Sequence, residues 1–315
     1  MNQLVWLRND LRVGDNPALH AASLRGPTTC VFLIDVAQWE RHDMSPWRLA
    51  LTLRNVDCVS KQLAPLGIKL LVRDCNTFAQ APEIIVKCAR QLNANCVSFN
   101  AEIALNEQRR DARVEAALAK SGLACQRHHN FTHLPPGAVT KPDGSSYTVF
   151  TPFKKRWLAH PLAVPSAPLP PPDAQGPPVQ PGRTPDQVGA IKKSFGANFW
   201  DAGEVAAQQC LAVFLQSRAE LYTQQRDLPD RPGTSKLSAH LATGTISAGQ
   251  CLYAAYSANK RRLCNGNEGM DTWISELVWR EFYNHILAAN PRLSRGEAFR
   301  RETEQLQWNE NEEWL

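Results

Sequence analysis

Ten prolines fall within the 25 residues from Pro161 to Pro185. Proline fixes φ and has no N–H to give to a ladder, so neither helix nor sheet persists through such a run. The segment reads as an extended connector. It divides a chain of 315 residues, long enough for about two domains, into two stretches of different periodicity.

Before the connector, short apolar runs alternate with amphipathic stretches. Strands are expected at Leu4–Leu7, Cys30–Asp35, Lys69–Val72 and Cys96–Phe99, with a weaker one at Leu123–Gln126. Helical patterns lie between them at Pro17–Leu24, Pro46–Leu66, Pro82–Leu92 and Asn106–Lys120. Such alternation predicts an α/β domain, a doubly wound parallel sheet covered by helices, with ligands at the carboxyl ends of its strands. No GxGxxG follows the first strand; the turn reads RNDLRVGDNPAL, which argues against a standard dinucleotide site there. Asp15-Asn16-Pro17 is a helix start, a capping side chain followed by proline in the first turn.

From about Val188 the pattern is helical, clearest at Gly203–Ser217, Thr234–Ala242, Ser247–Asn259 and Thr272–Ala289, with no convincing strand. The expected organisation is an α/β domain over 1–135, a connector over 136–190, and an all-α region over 191–315 that ends at Leu315 incomplete.

Apolar residues make up 43% and charged residues 21%, ordinary for a globular protein, and no apolar run reaches the ~18 residues of a membrane span. Arg8 and Asp10 interrupt the N-terminus too early for a signal peptide. The nine cysteines include no CxxC pair, so reduced thiols in a cytoplasmic protein are expected. The net charge of +5 permits a nucleic-acid partner without requiring one. It understates the basicity of the remainder, because the last fourteen residues hold five Glu and neither Lys nor Arg. His128, His129 and His133 lack the spacing of a zinc site, and no metal is expected. GxSxG, HExxH and zinc-deaminase patterns are absent, which leaves a hydrolase reading unsupported.

Four segments carry chemistry. In RPGTSKLSAHLATGTIS, Gly233 permits a tight turn, and Thr234, Ser235 and Lys236 offer hydroxyls, N–H groups and a charge at an expected helix start. That set suits a phosphate or pyrophosphate, or is a plain N-cap; the spacing is not that of a P-loop. In WISELVWREFYNHI, Ile274, Val278, Phe282 and Ile286 form an apolar stripe at about 100° per residue. Trp273, Glu276, Trp279, Arg280 and Tyr283 share an arc of about 120°. Two Trp, a Tyr and two charges suit a base, a flavin or a nucleic-acid backbone. The alternative is interdomain packing with a Glu276–Arg280 ion pair one helical turn apart. Tyr222 and Arg226 share a helical face, with Arg226 free for a phosphate or simply solvated. Finally, Asn106-Glu-Gln-Arg-Arg-Asp opens a helix just after a strand, where an α/β ligand site or a capped helix is expected.

Five segments, LVWLRNDLRVGDNPAL, NEQRRD, LPPGAVTKPDGSSYTVFTPFKKRW, YTQQRDLPDRPGTSKLSAHLATGTIS and WISELVWREFYNHIL, occur in this order between Leu4 and about Trp308. Together they resemble the DNA photolyase and cryptochrome family, in particular the bacterial folate-class photolyases of cyclobutane pyrimidine dimers. The resemblance implies an antenna domain, a long connector and a helical FAD domain. It implies that Tyr222, Thr234, Ser235, Lys236, Leu237, Ser238 and Trp273 hold FAD, and that Asn106 and Glu107 contact a 5,10-methenyltetrahydrofolate antenna. Arg226 and the run Glu276, Leu277, Val278, Trp279, Arg280, Glu281, Phe282 and Tyr283 would contact DNA containing pyrimidine dimers. Within that run Trp279 would stack on a flipped-out dimer and Glu276 would hydrogen-bond a base. Trp308 would be the surface end of the electron chain that photoreduces the flavin. The implied protein is a cytoplasmic, monomeric lyase that repairs DNA with light and makes no membrane contact. Family members are longer, and their remaining residues would complete the FAD pocket and supply the inner tryptophans of the chain. Two alternatives share the fold: a cryptochrome-like blue-light photoreceptor, and an inactive remnant without FAD.

Overall fold

The computed structural model describes residues 1–185 and 200–307. Five strands form one parallel sheet: β1 (Asn2–Leu7), β2 (Thr28–Ile34), β3 (Lys69–Asp74), β4 (Ala94–Asn100) and β5 (Ala124–His128), in the order β3-β2-β1-β4-β5. This is the expected doubly wound α/β domain. The side-chain period of two explains why both faces are covered. Val5 and Leu7 point into a core with Cys30, Phe32 and Ile34. Leu4 and Trp6 point into the opposite core with Val31 and Leu33.

On the first face lie α1 (Pro17–Ser23) and α3 (Pro46–Leu63), which supply Leu19, Leu53 and Val56. On the second lie α4 (Ala81–Gln91) and α5 (Leu105–Lys120), which supply Ile85, Val114 and Leu118. The short α2 (Val36–Arg41), unanticipated from periodicity, follows β2 directly. Asn16 caps α1 by accepting from the Leu19 N–H at 3.1 Å, with Pro17 as first helical residue.

The segment expected as a connector has two parts. Residues Phe150–Leu158 form a helix, α6, whose Phe153 and Trp157 are buried in the helical core. The proline-rich stretch from 161 to 185 contains neither helix nor strand. Gln175 ties that stretch to the sheet domain by accepting from the Thr28 N–H at 2.7 Å and donating to the Ser23 carbonyl at 3.1 Å.

The helical part continues with α7 (Glu204–Ser217), α8 (Tyr222–Gln225), α9 (Ser238–Thr243), α10 (Ala248–Ala258) and α11 (Glu268–Ala289). The helix expected at Thr234–Ala242 therefore starts four residues late. Lys236 has a left-handed φ of 54°, which no α-helix accommodates. Among the described residues, no helix is long and apolar enough to cross a membrane. All nine cysteines are free thiols.

The turn after β1 joins the two parts. Glu204 on α7 accepts from the N–H groups of Val13 at 2.8 Å and Gly14 at 3.1 Å. Arg12 donates to the Gly244 carbonyl at 2.9 Å and also to Asn130, and Asp15 accepts from Ser247. Gly244 is left-handed, with φ of 70°, and a Cβ there would lie 1.9 Å from the Asn9 carbonyl oxygen. The turn that lacks a dinucleotide motif is thus an interdomain wedge.

Candidate functional site

Helix α11 begins at the cap Asn267, whose side chain accepts from the Met270 N–H at 3.1 Å. Glu276 pairs with Arg226, at the end of α8, with Nη1 2.5 Å from Oε1. The Arg226 guanidinium also lies over the Tyr222 ring, 5.4 Å from its centroid. The Glu276 hydrogen bond, with its charge, raises the Arg226 pKa further. An intrahelical Glu276–Arg280 pair is therefore not formed. Arg280 turns the other way, donating to the Phe131 carbonyl at 2.8 Å with its guanidinium 4.9 Å from that ring's centroid.

Trp279 is half-buried, and its indole lies flat on Phe150 of α6, with centroids 3.5 Å apart and planes at 10°. Tyr283, one turn further, is 5.5 Å from the indole at 22° and is 60% exposed. Arg226, Glu276, Trp279 and Tyr283 thus share one accessible side of the helical domain.

Four residues expected at the DNA contact are not there. Leu277, Val278, Glu281 and Phe282 are buried. Eight consecutive helical residues go more than twice around the axis, so they cannot all face one ligand. Trp273 is likewise moved from the expected polar face into the core, tilted against Phe214 at 4.9 Å. Glu281 has a structural task, accepting from the N–H groups of His133 at 2.9 Å and Leu134 at 3.0 Å. Burial pushes its carboxyl up to about 7, against the opposing pull of those N–H groups and Arg280.

The expected flavin segment runs from Thr234 to Ser238. A Cβ on Gly233 would meet Gln225 at 2.5 Å, so its absence lets the segment lie close to α8. Tyr222, Leu237 and Trp273 belong to one core cluster, with Phe214 between the two rings. Thr234, Lys236 and Ser238 are exposed. Among the described residues, the backbone N–H groups of Thr234, Ser235, Lys236 and Leu237 donate no hydrogen bond. Four free donors, hydroxyls and one ammonium group fit a pyrophosphate.

A cleft of about 830 Å³ opens at the carboxyl edge of the sheet, between it and α9 and α11. Glu107 lines it, and Asn106 sits near its rim, where its amide donates to the lining His42 at 3.4 Å. Burial, then the charge of Glu102, raises the Glu107 pKa. The NEQRRD stretch supplies Arg110 to the deeper lining, whereas sequence reasoning missed Arg8, Asp35 and Glu102. Each of Arg8, Asp35 and Glu102 follows a strand, the one signal that could have found them. Arg110 binds Glu102 at 2.6 Å, and Arg8 binds Asp111 at 2.6 Å. Burial pushes the Glu102 pKa up, but Arg110 and Arg8 outweigh it and hold the carboxyl low. Both guanidinium groups lie against Trp6, at 4.5 and 4.7 Å from its ring, and each also meets a phenylalanine ring at 4.6 Å, Phe99 for Arg8 and Phe78 for Arg110. Burial pushes Asp35 up to about 6, and its Oδ1 has no partner among the described residues. The cleft thus combines a largely apolar lining that includes Trp39, Phe78 and Phe131 with charges of both signs, a combination that suits a heteroaromatic ligand.

Among the described residues, no group of three or more His, Cys, Asp and Glu could hold a metal ion. Trp308 lies outside the described residues.

A parallel-sheet domain wedged against a helical domain that presents an aromatic and charged face defines the class, and comparison with known proteins agrees. The profile of the DNA photolyase family matches residues 3–173, and the chain belongs to that family. It is 33% identical to the deoxyribodipyrimidine photo-lyase of Vibrio cholerae, over 99% of this chain and 67% of that protein. It is 35% identical to the enzyme of the same name from Escherichia coli, over 98% of this chain and 65% of that protein. The crystal structure of a class III photolyase from Agrobacterium tumefaciens superposes with a TM-score of 0.82 at 26% identity, covering 99% of this chain and 64% of that one. The chain therefore spans about two thirds of the length of these relatives.

Proposed function

We propose that the protein is a deoxyribodipyrimidine photo-lyase, repairing cyclobutane pyrimidine dimers in DNA by light-driven electron transfer. The observation that carries this reading is the shared accessible side of Arg226, Glu276, Trp279 and Tyr283. A lesion must leave the duplex before chemistry can reach it, and a damaged pair costs least to unstack. Trp279 offers the extruded dimer a flat apolar surface, with Tyr283 beside it. Glu276 would accept a hydrogen bond from a base edge. Arg226 adds the positive charge that a neighbouring phosphate needs.

Thr234, Ser235, Lys236, Leu237 and Ser238, backed by Tyr222 and Trp273, would hold FAD, with the free N–H groups turned to its pyrophosphate. When bound and reduced, FAD supplies the electron that, on illumination, splits the cyclobutane ring and is afterwards returned. The cleft at Asn106 and Glu107 would take an antenna, in our reading 5,10-methenyltetrahydrofolate. Trp308 would serve as the surface end of an electron chain. The protein would act as a cytoplasmic monomer.

Two measurements on the purified protein test this. Denaturation should release close to one FAD per chain, and dimer-containing DNA should bind more tightly than undamaged DNA. A chain that releases no flavin is a remnant. One that holds FAD but binds both DNAs equally is a photoreceptor of cryptochrome type.

A further inference from the structure

We infer that Phe150 is a positioning residue of the lesion site: it covers one face of the Trp279 indole and holds the other toward the dimer. The inference rests on the reading that Trp279 stacks on the lesion. Phe150 is the first residue of α6, a helix fixed to the helical core by Phe153 and Trp157. Its ring meets the indole at 3.5 Å and 10°. Phe282, itself buried, presents its edge to both rings, 5.8 Å from Phe150 at 66° and 5.6 Å from Trp279 at 74°. Phe153 lies behind Phe282 at 5.2 Å.

Aromatic side chains prefer offset or edge-on contact to a full face-to-face sandwich. A sandwich as close as this one means that the surrounding rings fix both partners. Its consequence is a one-sided platform. An indole open on both faces can tilt, and a base can stack on either side in several registers. An indole backed on one face by a fixed phenyl ring, with Tyr283 near-parallel to it at 5.5 Å and 22°, keeps one orientation, so less side-chain freedom is lost when the dimer docks. The connector before the proline-rich stretch thereby becomes part of the DNA site, although sequence periodicity gave it no helix.

The test compares Phe150→Leu, which keeps apolar bulk without a flat ring, with Phe150→Tyr, which keeps the ring. Binding of a single-stranded oligonucleotide carrying one thymine dimer, and of its undamaged twin, is measured in each, alone and in a Trp279→Phe background. Acrylamide quenching of the Trp279 fluorescence, taken as the difference from Trp279→Phe, reports how open the indole is. Having to immobilise one freed side chain on binding predicts that Phe150→Leu weakens dimer binding roughly two- to twelve-fold. Undamaged DNA should bind unchanged, the indole should become more quenchable, and Phe150→Tyr should restore both readouts. A loss equal for both DNAs, a loss undiminished in the Trp279→Phe background, or unchanged quenching in Phe150→Leu overturns the inference. Should the unmutated protein not distinguish the two DNAs, the lesion-binding reading fails by itself, and the quenching result still decides whether Phe150 shields Trp279.

Discussion

Arg226 and Glu276, separated by 50 residues in sequence, form an ion pair of 2.5 Å on the accessible side of the helical domain. Each is about one third exposed, so their pairing is worth no more than about 1 kcal/mol. Both are assigned here to DNA, one to a phosphate and the other to a base. The pair therefore holds the two groups in place at little cost and is weak enough for DNA to separate.

Removing the arginine is expected to weaken binding of damaged and undamaged DNA alike. Arg226→Ala should also flatten the salt dependence by about one phosphate contact. Glu276→Gln should do the opposite for undamaged DNA, strengthening it up to about fivefold at low salt by freeing Arg226. It should also narrow the preference for the dimer. Titrations over a range of salt concentrations check both.

Trp279→Ala removes the stacking surface. Base–aromatic stacking is worth about 1–3 kcal/mol, so affinity for dimer-containing DNA should fall roughly five- to 150-fold. Flavin content should be unaffected, because the Thr234–Ser238 segment draws its support from Tyr222, Leu237 and Trp273. Binding and released flavin, measured on the same preparation, separate the two roles.

Glu281 predicts a pH dependence of stability. Burial raises its folded pKa to about 7, above the unfolded value of about 4.3. Between those values the folded state holds the extra proton, so stability falls as pH rises through this window and levels off above it. Thermal unfolding of Glu281→Gln, which cannot ionise, should show a shallower decline from pH 5 to 7.5. Parallel pH profiles for the two proteins would remove Glu281 as the cause.

Gly244 tests the wedge. Alanine there meets both the left-handed backbone and the Asn9 carbonyl. Gly244→Ala should cost at least about 2 kcal/mol, seen as a lower unfolding midpoint and as faster proteolysis between the domains.

The sheet was legible because alternation with both faces apolar leaves few other folds for Leu4–Leu7 and Cys30–Asp35. Helix α6 was not, since Pro152 and the charged Lys154-Lys155-Arg156 mask the Phe153 and Trp157 that bury it. On α11, Ile274, Val278, Phe282 and Ile286 were read as the whole core stripe. The buried band also takes Trp273, Leu277, Glu281 and His285, and Glu281 and His285 satisfy backbone groups of His133 and Leu134 through contacts that no local pattern encodes. The expected helix start at Thr234 failed on one left-handed residue, Lys236. The cleft at the carboxyl edge of the sheet was half visible. NEQRRD marks its rim, whereas Asp35 and Glu102 are single charges without motif spacing, brought together only by strand order.

A single-turnover assay decides whether the protein repairs DNA with light. The purified protein, with its flavin reduced, is mixed with an oligonucleotide carrying one thymine dimer and illuminated with blue light, beside a dark control. Intact thymines should be restored in the light and none in the dark, with Trp279→Ala impaired. Dimers left unrepaired under light, in protein that holds reduced FAD and binds the damaged strand, would contradict light-dependent repair.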